Sequence, residues 1–284
     1  MSVEDRGVVQ PGPLRWPHHP QLAGDQPESI ALYTYLLDAD VELAEGFDVR
    51  TRIAARQLAT ARVLHVGVGA CDLAPWFEAA GQGLGLLVLE GLLALEIRVA
   101  GRTAAELVGP GDLLQPLGPV SDQPLVPTCG WRALRTSKLA VLDGDFADRV
   151  RPFPQITRIL ACRACRRPLE LDVLRAISSQ PRLEVRLVLL LWHLAVRWGR
   201  VEPAGIRLSL PLTHRLLGQL VAAERPSISH ALKRLAQAGI VTGTTDDLHL
   251  HDTLEHQLQA LTEREPALAE RSVSNPRRAH RPTG

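Results

Sequence analysis

Nowhere in this chain of 284 residues do about 18 apolar residues run without a charge, so nothing in it reads as a membrane-crossing helix. Its first residues also lack the basic-then-apolar order of a secretory signal, and a cytoplasmic protein with no membrane partner is expected. No glycine-rich phosphate loop and no nucleophile–base–orienter set appears, which argues against an enzyme. Lysine is nearly missing, with only Lys138 and Lys233 among 32 basic side chains. That bias reflects codon composition and carries little functional information. Cysteine is sparse too: Cys71 and Cys129 stand alone, and only Cys162 and Cys165 are close in sequence.

With 45% hydrophobic residues and a formal net charge of +1, the chain is long and apolar enough for two cores. The most informative stretch runs from Leu212 to Leu235. Leu216, Leu217, Leu220 and Val221 recur on one face of a first helix, and Ile228, Ala231, Leu232 and Leu235 do so on a second. Thr213 suits the N-cap of the first. Pro226 suits the first turn of the second, where its missing N–H would have had no intrahelical partner. The outer face of the second helix carries Arg225, Ser227, Ser229, His230, Lys233, Arg234 and Gln237, all able to donate hydrogen bonds to phosphates or base edges. From Gly205 to Ile240 the charges are Arg207, Arg215, Arg225, Lys233 and Arg234 against Glu224 alone, so positive charge gathers where a nucleic acid would lie. From Gly239 to Leu250 follow a helix stop, a short β-rich run, a polar turn and an alternating strand, which predict a β-hairpin wing. Such a helix-turn-helix lays its second helix, Arg225 to Ala238, in the major groove of double-stranded DNA. Base edges are assigned to Arg225, Ser227 and His230. Phosphates are assigned to Thr213, Gln219, Ser229 and Lys233.

In this register residues 181–250 resemble the winged helix-turn-helix of the Crp/Fnr family of bacterial transcription regulators. The runs Gln180–Leu187, Leu190–Ala195 and Trp198–Val201 match the helix that precedes the two reader helices in many members. The resemblance places the family's DNA-reading arginine on Arg225 and a second base-contacting position on His230. His214 and Arg215 fall where members touch the phosphate backbone. It further implies a homodimer that works with RNA polymerase. Two positions depart from the family pattern. Pro226 replaces an acidic base reader, and Ala222 stands at the turn glycine, where a left-handed turn would strain it by about 1–2 kcal/mol.

The architecture implied is α+β: an N-terminal β-roll over 29–150, a dimerisation helix over 151–180 and the winged helix-turn-helix over 181–254. Flanking these are a proline-rich arm over 1–28 and a helical extension with a basic tail over 255–284. Runs at 62–66, 85–90, 92–97 and 138–142 look like roll strands, with Gly91 and the pair Gly111-Asp112 at turns. A buried cyclic nucleotide needs a carboxylate for its ribose and an arginine for its phosphate. Where binders carry these, this chain has Gln115-Pro116 and Thr128-Cys129-Gly130, and the loop from Pro119 to Pro127 has no basic residue. Strand alternation makes Arg132 and Arg135 solvated surface residues. The roll is expected not to bind cyclic nucleotide, and no cofactor is expected.

Pro11, Pro13, Pro17, Pro20 and Pro27 make the arm too proline-rich to fold alone, with His18 and His19 read as solvated. The tail from Ser272 carries Arg277, Arg278, His280 and Arg281. In the dimerisation helix, Ile156, Ile159 and Leu160, then Leu171, Leu174 and Ile177, are spaced as a seam. Arg163, Arg166 and Arg167 interrupt it, and Pro168 should kink it. Cys162 and Cys165 lie one above the other, with Cβ atoms at about 5–6 Å, too far for an unstrained disulfide within the helix. The iron–sulfur branch of the family clusters cysteines near its N-terminus, and this arm has none. Across a two-fold axis the pair would supply four thiolates, a set suited to zinc. The alternative reading is therefore a thiol-based metal-binding or redox-sensing protein using Cys162 and Cys165, although no metal is assigned. His249 and His251 share a face of the predicted wing strand and read as solvated.

Overall fold

The structure, a computed structural model, describes residues 32–115 and 127–262, and the chain divides into two compact units, Met1–Glu170 and Leu171–Gly284. The proline-rich arm with His18 and His19, nearly all of the loop from Pro119 to Pro127, and the basic tail lie outside the described residues. Among the described residues no helix is long and apolar enough to cross a membrane.

In chain order the first unit contains β1 (Leu32–Tyr35), α1 (Leu36–Ala39), a 3-10 turn (Val41–Ala44), α2 (Val49–Leu58), β2 (Thr60–Val66), β3 (Gly69–Cys71), α3 (Ala74–Ala80), β4 (Gly85–Val99), β5 (Arg102–Val108), β6 (Leu113–Leu114), β7 (Thr128–Leu142) and α4 (Gly144–Val150). Most of α5 (Pro154–Ser178) also belongs to it. The strands form one antiparallel sheet in the order β1-β2-β7-β4-β5, with β3 on β7 and β6 on β4. Alternation along the long strands sends side chains to two separate cores. Leu86, Val88, Leu139 and Val141 join Phe77 and Trp131 on one side, while Leu87, Ala140 and Leu142 join Leu36, Phe146 and Ile156 on the other. Both faces are covered, so each fully buried leucine contributes about 1.5–3 kcal/mol of burial energy.

Two sequence expectations change here. The runs at 85–90 and 92–97 are one strand, β4, and Gly91 is a bulge within it rather than a turn, marked by register shifts from Val88 to Leu93. Gly91 has φ +99°, and a Cβ on it would lie 2.1 Å from Ser137 Oγ. Close approach of the buried Ser137 therefore demands glycine. The turn at Gly111-Asp112 forms as expected, with Asp112 Oδ2 accepting from the Gly109 N–H at 2.8 Å.

The second change concerns α5. Ile156 and Leu160 are completely buried in the roll's own core, so these two are not available as a dimer seam, while Ile159 packs against that core and stays partly exposed. The reason lies in the arginines. Arg163 donates to Asp40 at 2.5 and 2.9 Å and to Glu42 at 2.6 Å, and Arg167 donates to Glu106 at 2.7 and 2.8 Å. Burial alone would disfavour both guanidinium charges, but the hydrogen-bonded carboxylates outweigh it and hold both more basic than a free arginine. These ion pairs draw the Ile156–Leu160–Arg163–Arg167 line of α5 onto the roll. Helix α5 is continuous through Pro168. In the second unit Ile177 is buried and Leu174 is partly so, while Leu171 and Val173 are exposed.

The second unit continues with α6 (Leu183–Trp198), β8 (Arg200–Glu202), β9 (Gly205–Leu208), α7 (His214–Val221), α8 (Arg225–Gln237), β10 (Val241–Thr244) and β11 (Asp247–Leu250). Its sheet is antiparallel in the order β10-β11-β9-β8. The predicted hairpin is β10 and β11, and the strands β8 and β9 that complete the wing were not read from the sequence. Helices α6, α7 and α8 pack on one another through buried Leu187, Leu191, Leu217, Leu220, Ile228 and Leu235. A last helix over 254–262 closes the core, where Gln257 is 2% exposed and accepts from Trp192 Nε1 at 2.9 Å.

Candidate nucleic-acid interface

Helices α7 and α8 are set by their ends. Thr213 caps α7 as expected, its Oγ1 accepting from the Leu216 N–H at 3.2 Å. The helix ends at Ala222, whose φ 55° and ψ 47° are left-handed, and the Ala223 N–H closes the turn on the Gly218 carbonyl at 2.9 Å. The strain anticipated at Ala222 is therefore present. Gly218 is buried, and a Cβ there would meet the Ala223 carbonyl oxygen at 2.4 Å, so the tight turn tolerates only glycine. Pro226 occupies the first turn of α8, and Ile228, Ala231 and Leu235 face inward.

That leaves Arg225, Ser227, His230 and Lys233 exposed along the outer face of α8, with Arg215 exposed at the start of α7. The Leu212 N–H donates to the Thr245 carbonyl at 2.8 Å, which ties the wing turn to the entrance of α7. Between them lies a cleft of about 290 Å³ lined by Thr213, His214, Arg215, Arg225 and Thr245. His214 Nδ1 is 2.7 Å from Ser229 Oγ, and that hydroxyl donates to the Arg225 carbonyl at 3.2 Å. The hydroxyl therefore accepts from Nδ1–H, which leaves Nε2 as the uncommitted ring nitrogen. The two residues brace α7 against α8. Gln219 is only partly exposed.

The charge inventory of this face is smaller than the sequence suggested. Arg234 is paired with Glu184. Arg207 donates two hydrogen bonds of 2.7 Å to Asp247, which also accepts from Ser209 at 2.9 Å. These bonds, the Arg207 one foremost, hold the Asp247 carboxyl down to about 2. Free positive charge is thus carried by Arg215, Arg225 and Lys233, which have no ion pair among the described residues. Asp247, Glu184 and Thr245 escaped the sequence reading because each acts through a partner distant in the chain, and Gly218 because its role depends on the backbone path of the turn that follows it.

All four cysteines are free, with Cys162 and Cys165 exposed. Burial pushes the Cys71 thiol up to about 11 and raises Cys129 as well. His249 lies 4.0 Å from Glu202 and 3.8 Å from Asp247, while His251 bonds Thr242 at 2.6 Å. Among the described residues no group of three or more His, Cys, Asp or Glu side chains is placed to hold a metal ion. At the cyclic-nucleotide positions, Gln115, Thr128 and Gly130 are exposed, and Arg132 is engaged by Glu96 at 3.3 Å.

Residues 185–260 match the Crp-like helix-turn-helix domain. No curated protein matches the sequence. Solved structures with a similar fold include a CooA mutant from Carboxydothermus hydrogenoformans, at 17% identity and TM-score 0.57 over 80% of this chain and 94% of that one. The c-di-GMP responsive global regulator CLP of Xanthomonas campestris is similar at 16% identity and TM-score 0.52, over 72% of this chain and 100% of that one. FixK2 from Bradyrhizobium japonicum is similar at 15% identity and TM-score 0.51, over 70% and 96% respectively. The chain thus carries a Crp-like helix-turn-helix domain at residues 185–260, which supports a DNA-binding transcription regulator, and it shares the fold of these solved structures.

Proposed function

We propose that the protein is a cytoplasmic, homodimeric, sequence-specific regulator that reads an inverted-repeat operator, works with RNA polymerase and does not respond to cyclic nucleotide. The cleft between the entrances of α7 and α8 carries this reading: it gathers Thr213, His214, Arg215 and Arg225, two of them arginines with no ion pair among the described residues, at one edge of an exposed helix. Arg225, Ser227 and His230 take base edges, and Thr213, His214, Arg215, Gln219, Ser229 and Lys233 take phosphates. Two copies are needed to set recognition helices one DNA turn apart, about 34–36 Å. The absence of a carboxylate–arginine pair at 115 and 128–130 supports the cyclic-nucleotide part.

The test is binding of the full-length protein to a site selected from genomic DNA, beside random DNA of equal length, with and without millimolar cyclic AMP. Arg225→Ala is expected to cost about 1–3 kcal/mol on the selected site and little on random DNA, whereas Arg215→Ala weakens both. Cyclic AMP is expected to change neither affinity nor melting temperature, because a ligand of the folded state must stabilise it. Equal losses on both DNAs for Arg225→Ala remove it from base reading, and saturable stabilisation by cyclic AMP refutes the ligand part.

A further inference from the structure

The cleft at the entrances of α7 and α8 has positive walls and no negative one. Among its lining residues Thr213, His214, Arg215, Arg225 and Thr245, the fixed charges are the two arginines. A phosphate of the DNA backbone is an anion that suits it. His214 completes the lining, and the state of its ring is set from behind. The Ser229 hydroxyl gives its proton to the Arg225 carbonyl at 3.2 Å, so Nδ1 of His214, 2.7 Å from that hydroxyl oxygen, must carry a hydrogen. A neutral imidazole has a single N–H. With the hydrogen on Nδ1, Nε2 of a neutral His214 offers only a lone pair.

We propose that His214 grips a DNA phosphate only as the imidazolium, so that DNA binding takes up a proton, and that Ser229 imposes this by holding the neutral ring's hydrogen on Nδ1. This rests on the DNA-binding reading given above and adds the regulation of that same interface. A phosphodiester oxygen accepts hydrogen bonds and donates none. It is repelled by a bare Nε2 and held by a charge-assisted bond from the Nε2–H of the imidazolium. Ser229, its own proton committed to the Arg225 carbonyl, serves the phosphate through His214 as a positioning residue. The switch falls in the physiological range, because imidazole is the side chain that ordinarily changes charge between about pH 5 and 8.

The surrounding groups set the direction of the effect. Arg215 from α7 and Arg225 from α8 face the cleft with His214, the wing contributes the uncharged Thr245, and no residue of α6, the other helix packed on α7, lines it. Glu224 and Asp246, beside the cleft in sequence, are exposed, and Asp247 is engaged by Arg207 and Ser209. In the free protein the two arginines disfavour a third positive charge in the cleft, and a bound phosphate replaces that repulsion with attraction. The proton is thus taken up with the DNA. By reciprocity, DNA affinity falls as pH rises, by at most about tenfold per pH unit for each proton taken up. Loss of one charge-assisted hydrogen bond sets the whole change at about tenfold or more.

The experiment measures the dissociation constant of the full chain for the selected site and for random DNA from about pH 6 to about pH 8.5 at fixed ionic strength. For wild type the constant is expected to rise at least about tenfold over this range on both DNAs, because a phosphate contact carries no sequence information. His214→Gln donates without titrating, and Ser229→Ala lets the neutral ring carry its hydrogen on Nε2, so each is expected to stay within about twofold across the range. His230→Gln, which removes the other imidazole on this face, should keep the rise. Each variant is compared with itself across pH, so a uniform loss of affinity from a weakened brace leaves the readout intact. A wild type with no pH dependence, or a His214→Gln variant that keeps the rise, overturns the proposal while DNA binding stands. A Ser229→Ala variant that keeps the rise beside a flat His214→Gln overturns the part assigned to Ser229. No saturable binding to either DNA at the acid end overturns the DNA-binding reading itself, and this proposal with it.

Discussion

Replacing Ala222 with glycine should stabilise the DNA-binding unit. Ala222 is exposed, so its methyl group contributes little packing, yet it holds φ 55° and ψ 47° to let α7 turn into α8. An L-residue in that region costs about 1–2 kcal/mol that glycine escapes. Glycine gives back about 0.4–1 kcal/mol through the greater freedom of its unfolded chain. The balance favours Ala222→Gly by about 0.5–1 kcal/mol, which for a unit of this size is an increase of about 2–6 °C in the melting temperature. Differential scanning calorimetry of the full chain resolves the transition to watch. Ala222→Val serves as the opposite arm, because a β-branched side chain is worse still in this conformation and should lower the same transition. DNA affinity should hold for the glycine variant, since the turn geometry is unchanged. If Ala222→Gly leaves the transition where it was or lowers it, while Ala222→Val matches wild type, then residue 222 is not left-handed and the approach of α7 to α8 described here is wrong.

Removing one partner of the buried pair between α5 and β5 should be costly: Glu106→Ala strands the Arg167 charge at a site where the two side chains are only 8% and 17% exposed, for a loss of about 3 kcal/mol. The double variant with Arg167→Met is expected to recover most of that in chemical denaturation, and a double variant as unstable as the single would show the pair is not the cause. Asp247 should titrate near 2 by carboxyl NMR and move back toward 3.8 in Arg207→Ala. Because its folded value is depressed, the pair's contribution to wing stability is complete above the unfolded value and fades as pH falls through about 2. A midpoint at or above 3.8 in the wild type would mean the ion pair does not form.

Much of the DNA-binding unit was legible in the residues themselves. Thr213, Pro226 and the apolar positions of α7 and α8 act through neighbours three or four residues away, so their spacing alone locates the helices, the cap and the exposed reader face. The hairpin of β10 and β11 was legible for the same reason. Charge was less so. Arg207 and Arg234 count as positive in the sequence, yet each is paired with a carboxylate that lies 40 or 50 residues away and that no local pattern reveals.

What the sequence by itself determined is the kind of local element and the chemistry it offers: two amphipathic helices with basic outer residues, a wing, a rolled sheet and a long helix carrying Cys162 and Cys165. What only the tertiary structure decided is which face of that long helix is used up. Ile156, Ile159 and Leu160 have seam spacing, but heptad spacing marks an apolar face without naming its partner. The partner is the roll, because Asp40, Glu42 and Glu106 fold to where Arg163 and Arg167 must be neutralised. Buried charge requires a partner in space, and a sequence specifies neighbours only along the chain.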